Sequence, residues 1–119
     1  MRYLPAGLYY SLIWFLSSRP LALNISGFDK TAHIVEYFIL GFLLAYALNI
    51  CRADYKNKLL LFLGTTGLLS AADEIHQYFV PGRSCDFLDF TADVLGALSG
   101  FLIRIYLSKI ITMSKTVDR

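Results

Sequence analysis

The 119 residues are 56% hydrophobic and 15% aromatic but only 17% charged, with a net charge of +2. A soluble domain of this size needs about a quarter of its residues charged to coat its surface; composition therefore argues against a soluble enzyme, and high hydrophobicity argues against disorder. The small charge, without a basic run interleaved with aromatics, excludes nucleic acid as a partner, and a mean hydropathy of +0.54 points to one integral membrane domain over residues 1–119.

Four apolar segments follow in chain order. The first, residues 3–18, is short and stops at Arg19-Pro20. A secretory signal peptide is its rival reading, but the lone Arg2 before it and Tyr9, Tyr10 and Trp14 within it favour a retained helix. The second, 31–50, is interrupted only by His33 and Glu36 near its start. The third, 58–79, is apolar until Asp73-Glu74, and the fourth, 87–111, contains Asp89, Asp93 and Arg104. A spanning helix needs ~20 mostly apolar residues; the last three segments supply them, and the first can span a locally thinned bilayer. The expected fold is an all-α, polytopic membrane protein with four transmembrane helices.

Basic residues orient it. Arg2, Arg52, Lys56, Lys58, Arg104, Lys109, Lys115 and Arg119 fall on one side of a four-span bundle, and Arg19, Lys30 and Arg83 on the other. The positive-inside rule puts both termini in the cytoplasm, N-in and C-in. Cys51 and Cys85 then lie a membrane apart and cannot pair. Without a CxxC they offer neither a zinc ribbon nor a redox pair, and they read as ordinary small residues.

Acidic residues are distributed the opposite way. Asp29, Lys30, His33, Glu36 and Tyr37 open the second segment, Asp73, Glu74, His76 and Gln77 close the third, Arg83 lies in the connecting loop, and Asp86, Asp89 and Asp93 begin the fourth. Seven of the nine carboxylates and both histidines thus gather at the outer end. Each ionisable group inside a span costs ~2.5–3.5 kcal/mol on insertion scales and usually faces the bundle interior or water, so repetition at one depth suggests a site. Asp29, His33 and Glu36 share one helical face, as do Asp73 and Gln77, with Glu74 one step round. Asp89, Asp93, Gly96 and Gly100 form a stripe on the fourth helix, and Gly64, Gly67, Ala71 and Glu74 a similar one on the third. Small residues let helices approach closely in lipid. The two stripes therefore predict a tight bundle opening outward into a polar pocket, and the Gly96–Gly100 pair suits either internal packing or a homo-oligomer.

Taken together, Asp29, Lys30, His33 and Tyr37, then Asp73-Glu74-x-x-Gln77-x-x-Val80-Pro81-Gly82-Arg83-Ser84-x-Asp86-x-x-Asp89, then Asp93, Gly96 and Gly100 resemble the VanZ-like family of bacterial membrane proteins, over roughly residues 28–103. The resemblance implies a small four-to-five-helix protein of the bacterial plasma membrane, linked to the cell envelope, and the family's namesake is associated with resistance to the glycopeptide teicoplanin. It implies no reaction. The family often carries Asn where this chain has Asp93, and the first helix and the C-terminal tail carry no family motif.

Three chemistries suit the cluster, each with a plainer counterpart. His33, Glu36, Asp73, Glu74, Asp89 and Asp93 are a plausible divalent-metal ligand set. The chain, however, lacks the paired Glu-x-x-His of di-iron bundles and any HExxH, which favours a hydrogen-bonded network fixing helix register, with no cofactor. Arg83 and Lys30, near helix starts, suit a phosphate-bearing head group; equally, they can neutralise Asp29, Asp73 or Asp86. Crowded carboxylates suit acid–base catalysis with His33, Glu36 or Glu74, although no serine elbow, P-loop or Schiff-base lysine accompanies them. The expected function is an outward-facing pocket, lined by Asp29, Lys30, His33, Tyr37, Asp73, Glu74, Gln77, Arg83, Asp89 and Asp93, that binds or modifies the head group of an envelope lipid or cell-wall precursor and affects glycopeptide susceptibility. The alternative is a structural or assembly protein whose polar cluster only fixes packing. Transport is disfavoured because no polar path continues to the cytoplasmic side.

Overall fold

The computed structural model describes residues 1–19, 28–49 and 54–117, apart from the side chains of Phe28, Asp29, Thr116 and Val117. Cys51, and Arg52 and Arg119 of the basic residues expected on the cytoplasmic side, lie outside the described residues. Four α-helices and no strand occur among those described: α1 (Leu4–Ser17), α2 (Phe28–Ala47), α3 (Tyr55–Tyr78) and α4 (Phe87–Val117). At 1.5 Å per residue they are about 21, 30, 36 and 46 Å long, in a molecule of 58 × 25 × 24 Å.

Local chemistry sets the helix ends. Pro5 sits in the first turn of α1, where no intrahelical partner for its missing N–H is needed. Between α3 and α4 the Val80 carbonyl accepts the Arg83 N–H at 3.1 Å across Pro81-Gly82. Gly82 takes φ +82°, which a turn of this kind asks of its third residue and only glycine adopts without strain. Asp86 then caps α4, its carboxylate accepting the Leu88 N–H at 2.9 Å. The helix runs six residues past the expected end at 111; beyond Gly100 no glycine or proline stops it. In the same way α2 and α3 each begin three residues before the apolar runs at 31 and 58, since polar first turns are compatible with a helix whose apolar stripe starts later.

The closest pair is α2 with α4. A Cβ on Gly96 would collide with the Ile34 carbonyl, one on Gly100 with the Phe38 carbonyl, and one on Gly41 with the Ala97 carbonyl. Gly96 and Gly100 are buried against α2 of the same chain. Below this seam Leu40, Leu44, Ala45, Phe62, Ala97 and Phe101 form the apolar core, with the Phe62 and Phe101 rings 4.6 Å apart. The second expected seam is not a close contact: nothing lies within 4 Å of a Cβ placed on Gly64 or Gly67.

Polarity is inverted relative to a soluble domain. His33, Asp73, Glu74, Gln77, Asp89 and Asp93 are buried, while Leu60, Leu68, Ile75, Leu88, Leu102 and Met113 are exposed. Only α4 among the described residues, over Phe87–Lys115 with hydropathy 1.7, is long and apolar enough to cross a membrane. The charged ends of α2 and α3 and the 14 residues of α1 keep those helices from meeting the same criterion, so four helices are present without four evident spans.

Candidate functional site

Where α1 and α3 end and α2 and α4 begin, their polar residues meet in three linked groups. Asp73, wholly buried, accepts hydrogen bonds from the Ser17 hydroxyl at 2.6 Å and the Gln77 amide at 3.0 Å. Asp93, also wholly buried, accepts from the Ser70 hydroxyl at 2.6 Å and pairs with His33 Nδ1 at 2.8 Å. Glu74 accepts the Asp86 backbone N–H at 2.9 Å through Oε2, while Lys30 bridges Asp86 at 3.1 Å and Asp89 at 3.0 Å. Hydrogen bonds to charged groups contribute roughly 1.5–3 kcal/mol each, and a buried carboxylate lacking them would incur several kcal/mol of desolvation.

Asp86, outside the helices, is held below the ordinary carboxylate range, first by the Leu88 N–H and then by Lys30. Lys30 is therefore engaged by carboxylates, matching the neutralising alternative for this residue. The described residues include two groups whose ligand atoms lie within 4.8 Å of one another, His33 with Asp73 and Asp93, and His33 with Glu74 and Asp89. Two fully enclosed polar atoms near them, the Tyr37 hydroxyl and Glu74 Oε1, have no hydrogen-bond partner.

A cleft of about 50 Å³ opens at this end, lined by Leu16, Ser17, Ala32, His33, Glu36, Gln77 and Arg83. It is small: on the order of three to five waters, at about 10–15 Å³ each. Arg83 reaches from the α3–α4 turn to the Ser17 carbonyl at 3.5 Å. Of the residues expected to line a pocket, the structure brings His33, Tyr37, Asp73, Glu74, Gln77, Asp89 and Asp93 into the buried cluster and Glu36 and Arg83 to the cleft. Asp29 is in α2, its side chain outside the described residues. His76 stands apart, stacked on Trp14 at 4.1 Å and bonded to Ser18 at 2.8 Å.

Sequence reasoning missed two participants, Ser17 and Ser70. Ser70 was discoverable, since Ser70, Asp73 and Gln77 fall at i, i+3 and i+7 on one face. Ser17 carried no such signal, because its partner is 56 residues away on another helix.

The involvement of α1 agrees with the comparison to known families. The family model VanZ/LLP1 matches residues 3–109. The chain belongs to the VanZ/LLP1 family. The match extends beyond the 28–103 covered by the motifs, so α1 is part of the VanZ/LLP1 domain rather than an addition to it. No curated protein and no solved structure matches the chain.

Proposed function

We propose that this VanZ/LLP1 protein is a four-span protein of the bacterial plasma membrane, N-in and C-in, whose outward cleft engages the phosphate-bearing head group of an envelope lipid or wall precursor. The observation that carries the reading is the cleft itself, in which Arg83, Gln77, Ser17 and His33 converge where three helices meet. A guanidinium fork suits phosphate oxygens, and the cleft volume fits the projecting oxygens of a head group, with the rest of the lipid outside. The exposed apolar flanks of all four helices support a lipid setting for α1 to α3 as well as α4, and the eight-to-three division of basic residues supports the orientation. Glycopeptide susceptibility is the phenotype this function would affect.

Native mass spectrometry of protein gently extracted from its own membrane, beside Arg83→Ala, tests the binding. A discrete phospholipid or lipid-linked precursor adduct on the wild type that the variant loses is the expected result; equal, featureless spectra from two folded proteins would sink the proposal. The orientation is read separately from exposed Cys85, which in a Cys51→Ser background should react with a membrane-impermeant maleimide in intact spheroplasts.

One observation favours a second reading. Both carboxylate oxygens of Asp73 and of Asp93 already have protein partners, as a network that only fixes helix register would have. That reading predicts that Arg83→Ala lowers the amount of folded protein in membranes, whereas head-group binding predicts unchanged amounts.

A further inference from the structure

We infer that His33 of α2, Glu74 of α3 and Asp89 of α4 form a binding site for a divalent first-row cation, Mn²⁺ or Zn²⁺ in type, beside the cleft that His33 lines. Their ligand atoms lie within 4.8 Å of one another. Metal–ligand bonds of about 2.0–2.2 Å at tetrahedral angles place ligand atoms about 3.3–3.6 Å apart, so an ion draws the three together by up to about 1.5 Å. This assignment departs from the expectation of a metal-free network, because the six-residue ligand set offered by the sequence left open which of its members converge.

The state of Glu74 selects this group over its neighbour, and Asp89, one oxygen of which pairs with Lys30 at 3.0 Å, has its other oxygen to offer. His33, Asp73 and Asp93 also cluster, but each oxygen of those two aspartates already accepts a hydrogen bond from Ser17, Gln77, Ser70 or His33. Glu74 is different. It is 3% exposed and its Oε2 takes the Asp86 N–H, yet Oε1, enclosed in the protein, has no hydrogen-bond partner. An enclosed carboxylate oxygen without a donor costs several kcal/mol unless a proton or a cation meets it.

Asp93 then acquires a second task. A metal-ligating histidine characteristically gives its other ring nitrogen to a carboxylate, which fixes tautomer and ring orientation and raises ligand basicity. With Nδ1 donating to Asp93 at 2.8 Å, Nε2 is the ligating nitrogen. Asp93 is thus a positioning residue, and Asp73 with Ser17 and Gln77 forms the packed wall behind it. One imidazole with two carboxylates is a mixed nitrogen–oxygen set, suited to Mn²⁺, Zn²⁺ or Fe²⁺ rather than to Ca²⁺, which takes six to eight oxygens. Three protein ligands leave coordination positions for water or an incoming oxygen, and the cleft that His33 lines gives the ion its entry. The site does not depend on head-group binding.

The test uses the full chain in mild detergent and phosphate-free buffer, stripped with a chelator and titrated with Mn²⁺ and separately with Zn²⁺, by calorimetry and, for Mn²⁺, by electron paramagnetic resonance. One equivalent per chain is expected, with affinity at least about tenfold weaker in His33→Gln and Glu74→Gln, and a rise in thermal midpoint on metal addition in the wild type alone. A flat titration of folded wild-type protein with both ions overturns the proposal, and so does binding that both folded variants keep unchanged. If a variant fails to fold, the wild-type stoichiometry and Asp89→Asn decide instead. Failure here leaves the lipid adduct of the preceding test untouched, since no lipid is present.

Discussion

Two helices carry nearly the same stripe, acidic at one end and small below, and the fold treats them oppositely. On α4 the stripe Asp89, Asp93, Gly96, Gly100 is pressed against the backbone of α2 at Ile34 and Phe38. On α3 the stripe Gly64, Gly67, Ala71, Glu74 has open space beside both glycines. Small residues permit close approach in lipid but do not cause it. What distinguishes α4 is its partner: Gly41 on α2 opposes Ala97, so backbone meets backbone from both sides, and the His33–Asp93 pair fixes the register above. The acids differ correspondingly, Asp93 bonded through both oxygens and Glu74 through one. One stripe holds the fold, and the other leaves an acid with unspent capacity.

Asp93→Ala attacks the saturated acid and carries the largest expected effect. It strands His33 and Ser70 without their shared carboxylate, and a buried group left without its hydrogen-bond partner costs about 1–3 kcal/mol for each of the two. The measurement is the midpoint of unfolding in mixed detergent; a loss below about 1 kcal/mol would show that α2 and α4 do not depend on this pair.

The glycines sharpen the contrast because one substitution should have opposite signs on the two stripes. Gly100→Ala drives a Cβ into the Phe38 carbonyl and should lose about 1–3 kcal/mol. Gly64→Ala meets open space and should gain about 0.5–1 kcal/mol from helix propensity. Equal effects at both positions, in the same unfolding assay, would erase the distinction.

These positions also mark how much the sequence could reveal. Four helices, the clustering of carboxylates at one end and the α4 stripe were legible because each is a property of one segment: apolar length, charge placement and a spacing of three and four. The equivalent spacing on α3 misled, since periodicity reports what a face can accept and not which neighbour arrives. Pairings between helices were not legible either: Ser17 with Asp73, Lys30 with Asp86 and Asp89, and the gathering of His33, Glu74 and Asp89 all require knowing which helix ends meet. Among the described residues only α4 stands out as a span, because α2 and α3 carry their charges inside the helices that bury them.

The smallest expected effect separates the two roles of Asp86, which joins the stripes by capping α4, pairing with Lys30 and giving its N–H to Glu74. Asp86→Asn keeps an acceptor for the Leu88 N–H, since asparagine caps helices about as well as aspartate, and keeps the backbone bond to Glu74, while removing the charge facing Lys30. Because the folded protein holds the Asp86 carboxyl below its ordinary value of 3.8, the unfolded chain takes up this proton first as pH falls. The contribution is therefore present in full at neutral pH and is lost below about 4, as pH descends through the folded-state value. Thermal midpoints measured from pH 6 to pH 3 should fall slightly less steeply for Asp86→Asn than for the wild type, with the two curves converging at the acid end. Parallel curves would mean that the Lys30 bridge, with both side chains more than a third exposed, is too well solvated to stabilise the fold, leaving the cap and the Glu74 contact as the links between α3 and α4 at this end.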